Sequence, residues 1–207
     1  MFKKIIFVVI VITIIATGCS LFNFGGGDLI PLSVGNYWNM KLTMKESMGG
    51  TVVSDTTVYV RSEIIGKVTL ANGKEAFAYK SGMANSSYSF DTMSVFTIYI
   101  TKEDTAYFSY VSLSQVTGDY QLPVKIDVGT GWYANDMKNE VTAKENVTVP
   151  AGTFKNAYKI AITTTTSNDT SWEWVAPGNG DIKGYMQYGD SSYSSEMTYE
   201  LTGYKVK

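Results

Sequence analysis

An all-β antiparallel meander of about nine or ten strands is the fold this sequence predicts, curled into a strongly curved sheet, half-barrel or barrel after an N-terminal signal helix. Three observations carry that prediction. Apolar and polar residues alternate with period 2 along most of the chain beyond residue 30. Turn signals recur about every 8–15 residues, and no helical window follows the first segment. Tyrosine is abundant, 15 of 207 residues, alongside many Thr and Ser, which suits pleated, half-buried surfaces. A sheet of that many long, twisted strands curls rather than lying flat.

The first element is the signal helix. Lys3 and Lys4 form a short basic start, Ile5 to Ile15 is an apolar run broken only by Thr13, and Ala16-Thr17-Gly18 is a small-residue exit to Cys19. That pattern predicts a lipoprotein signal peptide over residues 1–18, cleaved between Gly18 and Cys19, with Cys19 as the lipid attachment site. A spanning helix needs about 20 apolar residues, more than this run has before Gly25-Gly26-Gly27. Two or more acyl chains on Cys19 would anchor the chain stably, because each buried methylene adds about 0.8 kcal/mol. Residues 19–29 then read as a flexible lipidated tether, spanning about 40 Å when fully stretched.

Residues 30–207 read as one β domain. Trp38, Met40, Leu42 and Met44 share one face of the first strand, with Asn39, Lys41, Thr43 and Lys45 opposite. Gly49-Gly50 turns the chain, and Val58, Val60, Ser62 and Ile64 line the return. Asn72-Gly73 is a second turn. Strands follow around 75–81, 87–101 and 105–113, the last two joined at Lys102-Glu103-Asp104. Residues 114–132, with Pro123, Gly129 and Gly131, suit an edge segment or a loop.

Val141, Ala143, Val147 and Val149 alternate up to Pro150-Ala151-Gly152, and Tyr158, Ile160 and Ile162 alternate back. Ser167-Asn168-Asp169 is read as the next turn. Trp172, Trp174 and Ala176 then share a face, and Pro177-Gly178-Asn179-Gly180 ends that strand. The last hairpin turns at Gly189-Asp190-Ser191, and a phase change at Gly203 predicts a β-bulge.

Composition excludes several functions. The chain has no histidine and one cysteine, so a Cys19 used for lipid leaves no disulfide, no thiol nucleophile and no histidine base or ligand. Ser-x-x-Lys, Gly-x-Ser-x-Gly and phosphate-loop motifs are missing. Loss of Lys3 and Lys4 would leave 15 basic against 19 acidic residues, a net charge of −4, which argues against nucleic acid as a partner. The expectation is a non-enzymatic protein with no cofactor and no metal.

Three strings occur in order: Ile30-Pro-Leu-Ser-Val-Gly-Asn-Tyr-Trp38, Val147-Thr-Val-Pro-Ala-Gly-Thr-Phe154 and Trp172-Glu-Trp-Val-Ala-Pro-Gly-Asn-Gly-Asp-Ile-Lys183. Together they resemble uncharacterised bacterial envelope lipoproteins of the TapB-like type. The resemblance implies a curved antiparallel sheet, distantly like lipoprotein-carrier half-barrels, and supplies no catalytic residues. Asp181 departs from it, standing where a second aliphatic residue is common.

Three roles fit this reading. The first is a membrane-anchored envelope interaction or structural protein. The second is a carrier or sensor of an apolar ligand, lined by Trp38, Met40, Leu42, Met44, Trp172 and Trp174, since Met adapts to irregular ligands and Trp joins a large apolar face to one donor. The third is a polysaccharide-binding module using Tyr185, Tyr188 and Tyr193. Partners would be the membrane through the lipid anchor and an envelope protein, lipid or glycan. The expected location is the cell envelope, and the outer membrane where the source has two, because Ser20 rather than Asp follows Cys19.

Overall fold

The structure is a computed structural model that describes residues 29, 31–164 and 170–207. The signal helix, Gly18, Cys19 and the expected turn at Ser167-Asn168-Asp169 therefore lie outside the described residues. Leu29, at the end of the segment read as tether, is buried in the core.

The described residues form twelve strands: β1 (Tyr37–Met48), β2 (Thr51–Thr69), β3 (Glu75–Ala84), β4 (Phe90–Lys102), β5 (Ala106–Tyr110), β6 (Asp119–Pro123), β7 (Gly131–Ala134), β8 (Met137–Val149), β9 (Gly152–Thr164), β10 (Thr170–Ala176), β11 (Gly180–Gly189) and β12 (Tyr193–Lys205). All pair antiparallel in one sheet ordered β6-β5-β4-β3-β2-β1-β12-β11-β10-β9-β8-β7. The chain is thus an all-β meander curled into a nearly closed barrel. It has more strands than the sequence suggests because β6, of five residues, lies within 114–132 and β7, of four, begins there, where glycines and Pro123 obscure the alternation. Both are edge strands, and Pro123 ends β6, where its missing N–H costs no ladder bond.

The sheet's central pair is β1 and β12, the first and last strands, in register from Tyr37↔Lys205 to Met48↔Tyr193. The two edges, β6 and β7, are consecutive in sequence and meet at a seam. There the Trp132 indole N–H donates to the Gln121 carbonyl at 3.0 Å, and the Gln121 amide donates to Ser109 Oγ at 2.9 Å. A side-chain bond thus bridges the two edges where no ladder pairs them.

Alternation decides what is buried. Trp38, Met40, Leu42 and Met44 of β1, Val60 and Ile64 of β2, Tyr79 of β3, Ile98 and Ile100 of β4, and Met197, Tyr199 and Leu201 of β12 all belong to one buried cluster. Full burial of such side chains stabilises by about 1.5–3 kcal/mol each, so this inner face supplies most of the driving force. A smaller cluster of Leu70, Ala76 and Tyr110 packs with Val68, Tyr99 and Phe108. Residues 111–118 are tied to the β2–β3 turn by the Ala71 N–H to the Leu113 carbonyl, 2.8 Å, and by the Asn72 amide to the Val116 carbonyl, 2.9 Å.

Gly49 and Gly50 both take positive φ at the β1–β2 turn, as a two-residue hairpin loop requires. The register shift opposite Asn39 and Met40 leaves Thr202 as the extra residue, next to the bulge expected at Gly203. In β8, shifts at Val141/Ala143 and Glu145/Val147 break the alternation, so Val141, Val147 and Val149 are buried while Ala143 is only half-buried.

Candidate functional site

The inner face of β1, β12, β11 and β10 is built in rows, because paired residues on adjacent strands point the same way. One row is Leu42, Tyr199, Gly184 and Glu173. The next toward the β1–β2 turn is Met44, Met197 and Met186, three buried methionines side by side on three strands.

The Tyr199 ring lies across Gly184: a Cβ added to Gly184 would stand 2.1 Å from a ring carbon. Glycine is needed here for space, its backbone being in no unusual conformation. The ring passes over β11, and its hydroxyl donates to Glu173 Oε1 on β10 at 3.1 Å. Glu173 is only 1% exposed.

Asp181 lies on the same inner side of β11, paired with Val175 beyond a register shift at Trp174/Val175. It is 1% exposed, and neither carboxyl oxygen has a hydrogen-bond partner. Burial, and then the charge of Glu173, hold its pKa well above the ordinary carboxylate range. Tyr79, on β3, is fully buried; its phenol is likewise held above its usual range by burial, and the Asp181 charge adds to this.

Trp38 joins the two walls. Its ring centroid is 6.3 Å from that of Tyr79, and its indole N–H donates to the Asn179 carbonyl in the β10–β11 turn at 2.7 Å. Small buried side chains lie beside it: Ser62 pairs with Trp38, and Ser62 and Ser81 share a 2.8 Å hydroxyl bond. An open pocket of about 240 Å³ at this end of the barrel is walled by residues that include Phe154, Pro177, Asn179 and Tyr204.

Of the lining expected from the sequence, Trp38, Met40, Leu42 and Met44 come together on the inner face. Trp172 and Trp174 do not join them. The inner residues of β10 are Glu173 and Val175, so both tryptophans face outward and are half-buried. The outer neighbours explain the inversion. Lys159 Nζ sits 4.3 Å from the Trp172 ring centroid and 5.2 Å from that of Trp174, whose indole N–H donates to Glu145 Oε1 at 2.5 Å. Of the tyrosines, Tyr185 faces outward beside Trp172, while Tyr188 and Tyr193 stand at the β11–β12 tip. Tyr188 donates to Met186 Sδ and Tyr193 to Glu46, so the three form no shared platform.

Sequence reasoning did not single out Glu173, Asp181 or Tyr199. A signal for Asp181 existed in its departure from the aliphatic residue common at that place. Among the described residues no group of three or more His, Cys, Asp or Glu side chains is placed to hold a metal.

No protein-family model matches the chain, and no curated protein matches it in sequence. Its fold is similar to the crystal structure of a "putative lipoprotein" from Parabacteroides distasonis, at 16% identity and a TM-score of 0.49, covering 89% of this chain and 99% of that one. It is also similar to a "putative exported protein with YmcC-like fold" from Bacteroides fragilis, at 13% identity and a TM-score of 0.46, covering 90% and 100%. A LolA superfamily protein from Nitrosomonas europaea is more distant, at 10% identity and a TM-score of 0.22 over 89% of each chain. No residue roles pass to this chain from likenesses at such identity.

Two outcomes are expected. Gly184→Ala should lower stability by about 1–3 kcal/mol through overpacking against Tyr199. Gly66→Ala, where an added Cβ meets nothing within 4 Å, should leave it unchanged or raise it by up to about 1 kcal/mol. Urea midpoints of the two variants compare them directly.

The second concerns pH. With its folded pKa raised, Asp181 keeps a proton that the unfolded chain releases above its ordinary value of 3.8, so its contribution to stability falls as pH rises from there through the raised value. Asp127 and Asp190 work in the opposite sense. Both are lowered, Asp127 chiefly by the Val128 amide and Lys144 and Asp190 chiefly by Ser192, so their contribution is lost as pH falls. They are the same in an Asp181→Asn variant and cancel in the difference. That variant should therefore gain on the parent as pH rises from 4 toward 7, by at most about 1.4 kcal/mol per pH unit. Equal pH profiles for the two proteins would count against a raised Asp181 pKa.

Proposed function

We propose that this chain is a lipid-anchored protein of the bacterial cell envelope that carries an apolar or amphipathic molecule within its curved sheet. Attachment through Cys19 after cleavage at Gly18 is part of this reading, as is kinship with TapB-like lipoproteins. The outer membrane is its place where the source has two membranes. The reading is non-enzymatic, since the chain offers neither histidine nor a second thiol for the common catalytic pairs.

The observation that carries it is the row Met44, Met197 and Met186 on the inner face of a nearly closed twelve-stranded sheet. The three side chains are packed in the core, so a ligand there would be seated by their rearrangement and not in a standing cavity. Methionine is unbranched and polarisable, so a methionine row conforms to ligands of irregular outline.

A second reading, docking on another envelope component, has one observation in its favour. Met48, Val52 and Val53 stand together at the β1–β2 tip and are 55–58% exposed.

The test of the carrier reading uses the full chain extracted from membranes. Native mass spectrometry should show a bound molecule beyond the acyl mass. After solvent stripping, the protein should quench or enhance its tryptophan fluorescence on titration with dodecanol, and Met197→Gln should weaken that response. A chain at its acylated mass alone, together with no response to dodecanol, would overturn the reading. Cys19→Ser should abolish acyl labelling and accumulate uncleaved precursor; continued labelling would place the anchor elsewhere.

A further inference from the structure

The outer face of β10 gives up apolar burial. A tryptophan can remove about 150–250 Å² from water, yet Trp172 and Trp174 are only half-buried while Glu173 between them takes the inner place. Natural sequences depart from such patterning chiefly at functional sites.

β9 is shaped to receive the two rings. Ala157, Lys159 and Ala161 alternate along it and share its outer face, with Lys159 opposite Trp174 and Ala161 opposite Trp172. The Trp174 indole N–H donates to Glu145 Oε1 on β8 at 2.5 Å, and β9 lies between β8 and β10, so the ring extends across β9. Ala157, paired with Glu145, is fully buried along that path and too short to lift the ring. A ring laid along a sheet turns one face to the strands and the other to solvent. Lys159 Nζ stands 4.3 Å from the Trp172 centroid and 5.2 Å from that of Trp174, which puts an ammonium between the two rings. Lys144 on β8 and Lys183 on β11 are tied to Asp127 and Glu200 at 3.3 and 3.2 Å. No carboxylate pairs with Lys159 among the described residues.

We propose that Trp174, Trp172 and Lys159 form a surface site for an anionic saccharide. A sugar ring stacks its C–H face on the outward side of Trp174, and an acidic group of the same polymer pairs with Lys159. A pyranose has an apolar face and a rim of hydroxyls, and this plate is likewise apolar with a polar rim, Glu145 on one side and Tyr185 on the other. An alkyl ligand would leave that rim unused, and a neutral sugar would leave the Lys159 charge uncompensated. A nucleic acid needs a run of cations to follow its phosphates, which this face does not offer with Lys144 and Lys183 already paired. The site lies outside the barrel and is independent of the carrier reading.

Affinity electrophoresis of the full chain in non-ionic detergent tests this, with polygalacturonate or hydroxyethyl cellulose cast in the gel. Retardation by polygalacturonate is expected at about 10- to 100-fold lower concentration than by the neutral polymer, the range set by a hydrogen bond between charged groups. Lys159→Gln should erase that difference and leave the weak retardation by hydroxyethyl cellulose unchanged. Trp174→Ala should weaken retardation by both polymers about tenfold or more, whereas Trp174→Phe, which keeps a ring, should retain most of it. Thermal melts identify a variant that fails to fold, and the exposed Lys159 head makes Lys159→Gln the decisive one if Trp174→Ala does so. Equal retardation by the two polymers, none by either, or a preference that survives Lys159→Gln would overturn the proposal. So would release of the protein from polygalacturonate by an equal charge of oligothymidylate, which would mark the site as a general polyanion surface.

Discussion

Pairing of the first strand with the last is the constraint on which the rest of this barrel depends. With β1 and β12 in the middle of the sheet, each half of the chain runs outward by hairpins to a free edge. Those edges, β6 and β7, are joined by the short segment 124–130, so they cannot separate far, and the sheet must curl until they meet. Unprotected edges recruit other strands. Here both are only four or five residues long and are bridged by Trp132, which limits that hazard. The β1–β12 ladder is also the most non-local pairing available to the chain. Its closure entropy must be met before the inner face can form, which favours slow folding of the whole over early independent halves.

The second constraint is what lies on either side of β10. A strand has only two faces, so Trp172-Glu173-Trp174 must bury either its two tryptophans or its one carboxylate. Burial of apolar area alone would choose the tryptophans. The structure chooses the glutamate because both alternatives are compensated. Outside, Lys159 and Glu145 use the tryptophan faces and an indole donor, so these rings remain well packed while half-exposed. Inside, the Tyr199 hydroxyl meets Glu173, and Gly184 leaves the room for the Tyr199 ring to reach it. The choice of face on one strand thus depends on a missing side chain on the next.

Much of the architecture was legible in the sequence, and the reasons are local. The β1 alternation, the Gly49-Gly50 and Asn72-Gly73 turns and the phase change at Gly203 are signals carried within a few residues, and each corresponds to an observed element. The strands β6 and β7 were not legible, since four or five residues are too few to show a period and their pairing partners are remote. The orientation of β10 was not legible either, because Trp-Glu-Trp alternates equally well in both phases and only neighbouring strands decide between them. The candidate site therefore divides. Its β1 half, Trp38 to Met44, follows from periodicity, whereas Glu173, Asp181 and Tyr199 converge only through cross-strand register.

The position of Asp181 ties the interior to one end of the barrel. β1 begins at the end of the barrel where β12 finishes and where the β10–β11 turn lies, so Trp38, Asn179 and Asp181 are gathered at the end by which the chain enters from residue 29. The Lys207 N–H bonds to Asn36 Oδ1 at the same end. The buried Asp181 carboxyl therefore lies toward the same end of the barrel as the open pocket walled by Phe154, Pro177, Asn179 and Tyr204, while the exposed Met48, Val52 and Val53 stand at the opposite, β1–β2 end.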